Sequence, residues 1–262
     1  MSLEIKATPN QPNADDVLWK YMSFHKFVSF MTTKSFVYSR LDQLEDLWEG
    51  VNQQYLALSR FHDDNINNGF DPNHPFYSFW FDKSGKRSKA EKQYMVRQKS
   101  NFVMCWIINK RESAAMWNLY SEVGGVVIKM KYDTLRKVLI EPDNRIDLND
   151  NIHRRLTLGK VEYKDFSQGY SSLNKDFLVK DTIYRKDLSF EHEHEFRVNI
   201  RLDNPLRKDK NVLTQQIRNF ESVFFEIVAH PKTPSWQMRN LQSIAEILNF
   251  KQRIQTSDLR FR

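Results

Sequence analysis

Residues 190–202, FEHEHEFRVNIRL, decide how this chain is read. Taken in alternation, His192, His194, Phe196, Val198, Ile200 and Leu202 fall on one side and Glu191, Glu193, Glu195, Arg197, Asn199 and Arg201 on the other. Successive side chains of a β-strand point to opposite faces. The run is therefore predicted to be a strand whose His/Phe/Val/Ile/Leu face packs on a core. Its opposite face collects three carboxylates and two guanidiniums, which make either a working site or a salt-bridged exterior.

Working outward, the chain has 262 residues, 40% of them hydrophobic and 13% aromatic. That is enough apolar material for one large domain and excludes disorder of the whole chain. No apolar run approaches the roughly 18 residues of a membrane span. The opening MSLEIKATPNQPNADD lacks the basic-then-apolar pattern of a secretory signal. The expectation is a soluble cytoplasmic protein with a polar leader over residues 1–16 and a single domain over 17–262. The one cysteine, Cys105, lies inside FVMCWII with no second thiol to form a bridge, and reads as a buried, inert residue. The formal charge of +7 permits attraction to nucleic acid or an anionic cofactor, but Lys and Arg are spread along the chain.

The pattern begins with a strand at Val17–Tyr21. A helix capped by Ser23 follows, with Phe24, Phe27, Val28 and Met31 on one face. Ser35–Ser39 reads as a strand, and a helix is expected from about 49 to 59. Residues 61–85, rich in Asp, Asn, Gly and Pro before FYSFWF, read as a long loop or lid. A basic helix is expected over 86–99; it is either a phosphate-binding element or a solvated face. Asn101–Ile108 has the composition of a buried strand. Asn109 and Glu112 have capping-box spacing for a helix carrying Ala114, Trp117 and Tyr120, which Gly124-Gly125 ends. Strands are predicted at Gly125–Lys131, Leu158–Tyr163 and Ser222–Ala229, with an edge strand within 252–259. Helices are predicted at Tyr132–Leu139, over 172–184 and after Thr233-Pro234, with Pro234 at the first helical position. The last of these presents Met238, Leu241, Ala245 and Leu248 on one side. No internal repeat is evident, and the order of elements predicts one α+β domain with a mixed, substantially antiparallel sheet packed by helices.

The central block CWIINKRESAAMWNLYSEVGGVVIKM resembles a bacterial domain-of-unknown-function family often found near phage-defence or mobile-element genes. LWKY, FVYSRLDQLEDLWEG, KVEY, EHEFR and EIVAHPKTP follow that family's landmarks in order, from about Leu18 to Glu246. Phe190 stands where the family pattern leads one to expect a Trp near the acidic pair. The resemblance implies the fold and a possible role in phage defence, and supplies no catalytic residues.

Glu193, Glu195 and Arg197 are the candidate catalytic residues. Carboxylates two apart on a strand project the same way about 6–7 Å apart. They can share a divalent metal or divide acid and base roles, and Arg197 offsets their repulsion. Two enzyme classes fit. In an enzyme acting on NAD, resembling ADP-ribosyltransferases, the Glu-x-Glu pair supports the ribose as positive charge develops. Lys20, Tyr21, Arg40, Trp117 and Tyr120, with Tyr38, are then the candidates to hold the cofactor. In a Mg²⁺-dependent nuclease, Glu193 and Glu195 with Asp46 or Glu49 hold the metal, and Arg197 or Lys129 meets the phosphate. A third class is a nucleic-acid- or protein-binding regulatory module using the basic helix, with Lys89, Lys92 and Arg97, and the aromatic loop. His192 and His194, with His25, His153 or His230, have zinc-ligand spacing, but strand-end histidines satisfied at the edge of a core are the simpler account. The acidic and histidine residues of the loop, Asp63, Asp64, Asp71, His62 and His74, are the ordinary content of a polar segment. Met116, Trp117 and Tyr120 at helical spacing are core residues by default, although Tyr120 beside the double glycine suits a pocket wall.

Overall fold

The computed structural model describes residues 5–7, 10–46, 49–50, 98–141, 143–144, 146, 154–165, 182–202, 210–250 and 252–260. The expected helix at 49–59 from residue 51 on, the lid at 61–85, the basic helix up to residue 97 and the helix at 172–181 lie outside these residues; Glu49 and Gly50 form a turn. Within them the molecule is an α+β domain with a large mixed, mostly antiparallel sheet.

The strands in chain order are β1 (Ile5–Ala7), β2 (Val17–Met22), β3 (Ser35–Arg40), β4 (Asn101–Ile108), β5 (Val126–Lys131), β6 (Arg154–Lys160), β7 (Glu162–Lys164), β8 (Arg185–Asp187), β9 (Glu195–Leu202), β10 (Val212–Gln216), β11 (Glu226–Ala229) and β12 (Gln255–Thr256). The α-helices bounded within the described residues are α1 (Phe24–Thr33), α2 (Ala114–Tyr120), α3 (Tyr132–Ile140) and α4 (Ser235–Ile247). Ile5–Ala7, read as part of a polar leader, pairs with β6 in parallel.

β4 organises the sheet. One edge pairs antiparallel with β9 from Asn101↔Arg201 to Ile107↔Glu195. The other edge forks: Phe102 and Val103 pair with β3, and Ile107 and Ile108 pair with β2. Between the prongs the Cys105 carbonyl accepts a 2.9 Å hydrogen bond from Lys20 Nζ. A main-chain acceptor left inside a protein needs such a partner. Beyond β9 come β6 and β1; beyond β2 come β5, β11 and β12; β10 flanks β3.

Face parity follows the sequence alternation. Leu18 and Met22 of β2, Phe102, Met104 and Trp106 of β4, and Phe196, Val198, Ile200 and Leu202 of β9 enter one large core. Phe27, Phe30 and Met31 of α1, Leu135 and Leu139 of α3, and Leu241 and Ala245 of α4 cover that face. The other face carries two smaller apolar islands. Met116 and Trp117 of α2 lie with Trp19, Tyr21 and Ile107 in one, and Leu41, Val103, Ile183 and Tyr184 form the other.

Helix ends explain where the chain turns. Ser23 caps α1 by accepting from Lys26 N–H, and Lys34 ends it in the left-handed conformation with φ 49°. After α2, Gly124 has φ 92°, and a Cβ on Gly125 would lie 2.6 Å from the Met22 carbonyl oxygen. Glycine is required at both positions. Several sequence expectations are corrected. Ser113, not Asn109, caps α2, while Glu112 accepts hydrogen bonds from Trp117 and Asp258. Met116 and Trp117 are the buried residues of α2, whereas Ala114 is exposed. Pro234 is the N-cap of α4 rather than its first helical residue. The expected strand from Leu158 divides at Val161 into β6 and β7, and the one from Ser222 shortens to β11 behind a 3-10 turn at Phe220–Ser222.

Residues 188–194 depart furthest from the expected strand. Leu188–Glu193 is a 3-10 turn ended by His194 at φ 45°, so the strand begins at Glu195. His192 and His194 are exposed and do not share the core face of Phe196. The alternation of acid and histidine in EHEHE imitates a strand, while the Asp187 carboxylate accepts the Ser189 N–H and starts the turn.

Candidate functional site

The polar face of β9 is neither an exterior nor an open cleft. Glu193, Glu195, Arg197 and Asn199 are buried, and Arg197 is wholly inaccessible. On β4 the register sets Cys105 opposite Arg197, between Val103 of one apolar island and Ile107 of the other. The charges are thus walled by apolar side chains, where their interactions are much stronger than in water.

Four segments supply the cluster's charges: β9, β8, the 3-10 turn that bears Glu193 and the turn at Glu49. Arg197 makes a bidentate pair with Glu195 of its own strand, Nε donating to Oε1 at 2.8 Å and Nη2 to Oε2 at 2.7 Å. It also donates from Nη2 to Glu49 Oε1 and from Nη1 to the Ile183 carbonyl, both at 2.8 Å. Lys186, from β8, places Nζ 2.7 Å from Glu193 Oε2 and 3.2 Å from Glu49 Oε1. The turn bearing Glu49 is fastened in its turn, since Gln98 Nε2 donates to the Glu49 carbonyl at 2.7 Å. Tyr163 of β7 accepts the Glu195 N–H at 2.8 Å. Tyr120, at the end of α2, donates its hydroxyl to Glu193 Oε1 at 2.6 Å. The Phe190 ring lies 4.3 Å from Lys186 Nζ and covers the ammonium.

Among the described residues, three carboxylates are bonded to two cations, and Lys20, at the β4 fork, is a third cation that feels the charge of Glu195. Burial works against ionisation of Glu195, but Arg197, and after it Lys186, hold its carboxyl below the usual range. Burial likewise opposes the charge on Lys186, and Glu195, Glu49 and Glu193 together raise its pKa above the ordinary lysine value. Arg197 is held charged by Glu195 and Glu49 in spite of its burial. Burial, then the bond to Glu193, pushes the Tyr120 hydroxyl well above its ordinary value. Burial and the neighbouring Glu195 do the same to the Cys105 thiol, which is therefore a poor nucleophile.

Of the five residues expected to hold a cofactor, only Tyr120 touches Glu193, Glu195 or Arg197. Lys20 lies on the Leu18/Met22 side of β2, at the fork, with Nζ 5.6 Å from the Trp106 ring centroid. Tyr21 and Trp117 pack edge to face at 4.9 Å. Tyr21 accepts the Ser113 N–H, and Trp117 Nε1 donates to Glu112 Oε2, both at 2.9 Å. Burial pushes the Tyr21 hydroxyl up to about 12. Arg40 is turned to Asp42, 2.6 Å away, and to the Lys210 carbonyl. Lys129 pairs with Glu226 at 3.2 Å. Asp46 shares the Glu49 turn, its carbonyl accepting the Glu49 N–H at 3.1 Å.

The zinc arrangement is not assembled among the described residues. His192, His194 and His25 are exposed, and His230 accepts the Lys232 N–H through Nδ1. His153 lies outside the described residues. No group of three or more His, Cys, Asp or Glu among them is arranged to hold a metal ion.

Sequence reasoning named Glu49 only as one of two alternatives and missed Lys186 and Tyr163. The one available signal for Lys186 is its place seven residues before Glu193 in a segment otherwise dominated by acids. No family model, curated protein or solved structure matches this chain. No helix among the described residues is long and apolar enough to cross a membrane.

Proposed function

We propose that the buried cluster is the centre of an enzyme that cleaves the nicotinamide–ribose bond of NAD, with Glu193 the carboxylate nearest the substrate. The observation that carries this reading is the gathering of three carboxylates in an apolar enclosure, with the half-exposed Tyr120 joining Glu193 to the surface. As nicotinamide departs, positive charge grows on the ribose. Fixed negative charge in a low-dielectric setting stabilises such a transition state without reorganising. Lys186 and Arg197 hold the carboxylates in place, and Arg197 acts by positioning Glu195 and Glu49 rather than by meeting the substrate. Defence against phage is the setting the sequence motifs imply.

A second reading has its own observation. Both oxygens of Glu195 are taken by Arg197, and both of Glu193 are engaged by Lys186 and Tyr120. So complete a satisfaction suits a charged keystone in a binding or regulatory module. The Mg²⁺-dependent nuclease has less support, since the metal would take the place Lys186 holds between Glu49 and Glu193.

Incubation of the protein with NAD, with nicotinamide quantified by chromatography, separates the two. The enzyme reading expects release that falls by about 100-fold or more in Glu193→Gln. A folded wild-type protein that releases none removes it in favour of the keystone.

A further inference from the structure

We infer that Tyr120 is the group through which Glu193 acts, relaying a proton from the attacking water to the buried carboxylate; this rests on the NAD-cleaving reading above. Glu193 is only 4% exposed, too enclosed to meet a substrate or a bulk water directly. Tyr120 is 44% exposed, and its hydroxyl hydrogen is committed to Glu193 Oε1 at 2.6 Å. A phenol that donates inward keeps its oxygen lone pairs for an outward donor. The other carboxylate oxygen is fixed by Lys186 at 2.7 Å, so Oε1 is the one left to receive a proton. Leu119 and Val123, both exposed, stand on either side of Tyr120 in the chain, and Phe190 covers Lys186.

The step balances as follows. A water oxygen forms a bond to the anomeric carbon as the carbon–nitrogen glycosidic bond breaks, and its electron pair leaves with nicotinamide, neutralising the pyridinium. One water proton passes to the Tyr120 oxygen while the Tyr120 proton passes to Glu193 Oε1. The products are ADP-ribose and nicotinamide, and protonated Glu193 returns its proton to solvent by the reverse path. Neither oxidant nor metal enters the balance.

The test compares wild type, Tyr120→Phe, Glu193→Gln and the double variant on NAD, with and without azide, an anionic nucleophile that needs no deprotonation. Single substitutions are expected to lower hydrolysis by about 100-fold. The double variant is expected to be no worse than either single one, because the two groups act as a unit. Azide is expected to restore nicotinamide release in Tyr120→Phe and to yield the ribosyl azide. Circular dichroism checks folding, and should Tyr120→Phe misfold, the azide rescue is read on Tyr120→Leu. An active wild type with Tyr120→Phe hydrolysing within twofold of it overturns the relay while leaving the NAD reading intact. Loss without azide rescue overturns it too. An inert wild type removes both.

Discussion

From Glu195 to Ile200 the two faces of β9 are equally buried and are held by opposite means; only Arg201, near its end, is exposed. On one, Phe196, Val198, Ile200 and Leu202 meet the apolar side chains of three helices. On the other, Glu195 and Arg197 meet charges brought from β8 and from the turn at Glu49. The apolar face needs only shape and volume, because its attraction has no direction. The charged face needs every partner, because a buried ion deprived of its counter-ion is far worse than none. The lesson is that equal burial gives the two faces different tolerances: one can be repacked, the other fails when a single member is removed.

The largest effect should come from breaking the charged face. Arg197→Met leaves Glu195 and Glu49 without their guanidinium and is expected to destabilise the protein by about 3–5 kcal/mol in urea unfolding. Adding Glu195→Gln to it should recover part of that loss. A double variant as unstable as the sum of the singles would show that the pair is not coupled. Phe196→Ala, one residue away on the apolar face, should cost about 3–4 kcal/mol through lost burial and a cavity. Here Phe196→Leu should recover most of the stability, whereas Arg197→Lys, lacking the bidentate fork, should recover little. Equal rescue of the two faces by their conservative variants would break the comparison.

A smaller effect separates the faces by pH. The folded-state pKa of Glu195 is depressed, so its contribution is present above the unfolded value of about 4.3 and disappears as pH falls through the folded value. That of Lys186 is raised, so its contribution is present below about 10.4 and disappears as pH rises through the folded value. The unfolding free energy should therefore have an acid limb that Glu195→Gln reduces and an alkaline limb that Lys186→Met reduces, the raised Cys105 and Tyr120 adding to the alkaline limb and the lowered His230 to the loss below neutrality. Phe196→Ala should lower the whole curve without changing its shape, and urea titrations across pH would expose any departure.

The elements most legible in the sequence are those with unbroken periodicity. NFVMCWII, GVVIKMK and the EFRVNIRL part of the opening stretch all form strands, and α1 packs through Phe27 and Met31 with Phe24 and Val28 against the same core. Local chemistry misled where two local solutions competed. Asn109 and Glu112 have capping-box spacing, yet Glu112 is claimed by Trp117 and by Asp258, which is 146 residues away. EHEHE alternates like a strand, yet a side-chain bond from Asp187 turns it. Of the residues expected from sequence to hold a cofactor, Tyr120 alone hydrogen-bonds to the charged cluster, because Tyr21 and Trp117 found each other, Arg40 found Asp42 and Lys20 found the Cys105 carbonyl.

The sequence by itself determined the α+β class, the face parity of β9 and the identity of Glu193, Glu195 and Arg197 as an unusual concentration of charge. A period of two or of 3.6 residues is a local property and can be read along the chain. Only the tertiary structure decided that this charge is buried, that Lys186 and Glu49 complete it, and that Tyr120 opens it toward solvent. Glu49 meets Arg197 across 148 residues of chain. Such partners are chosen by how the strands and turns pack, since each buried charge must find its counter-ion wherever the fold delivers one.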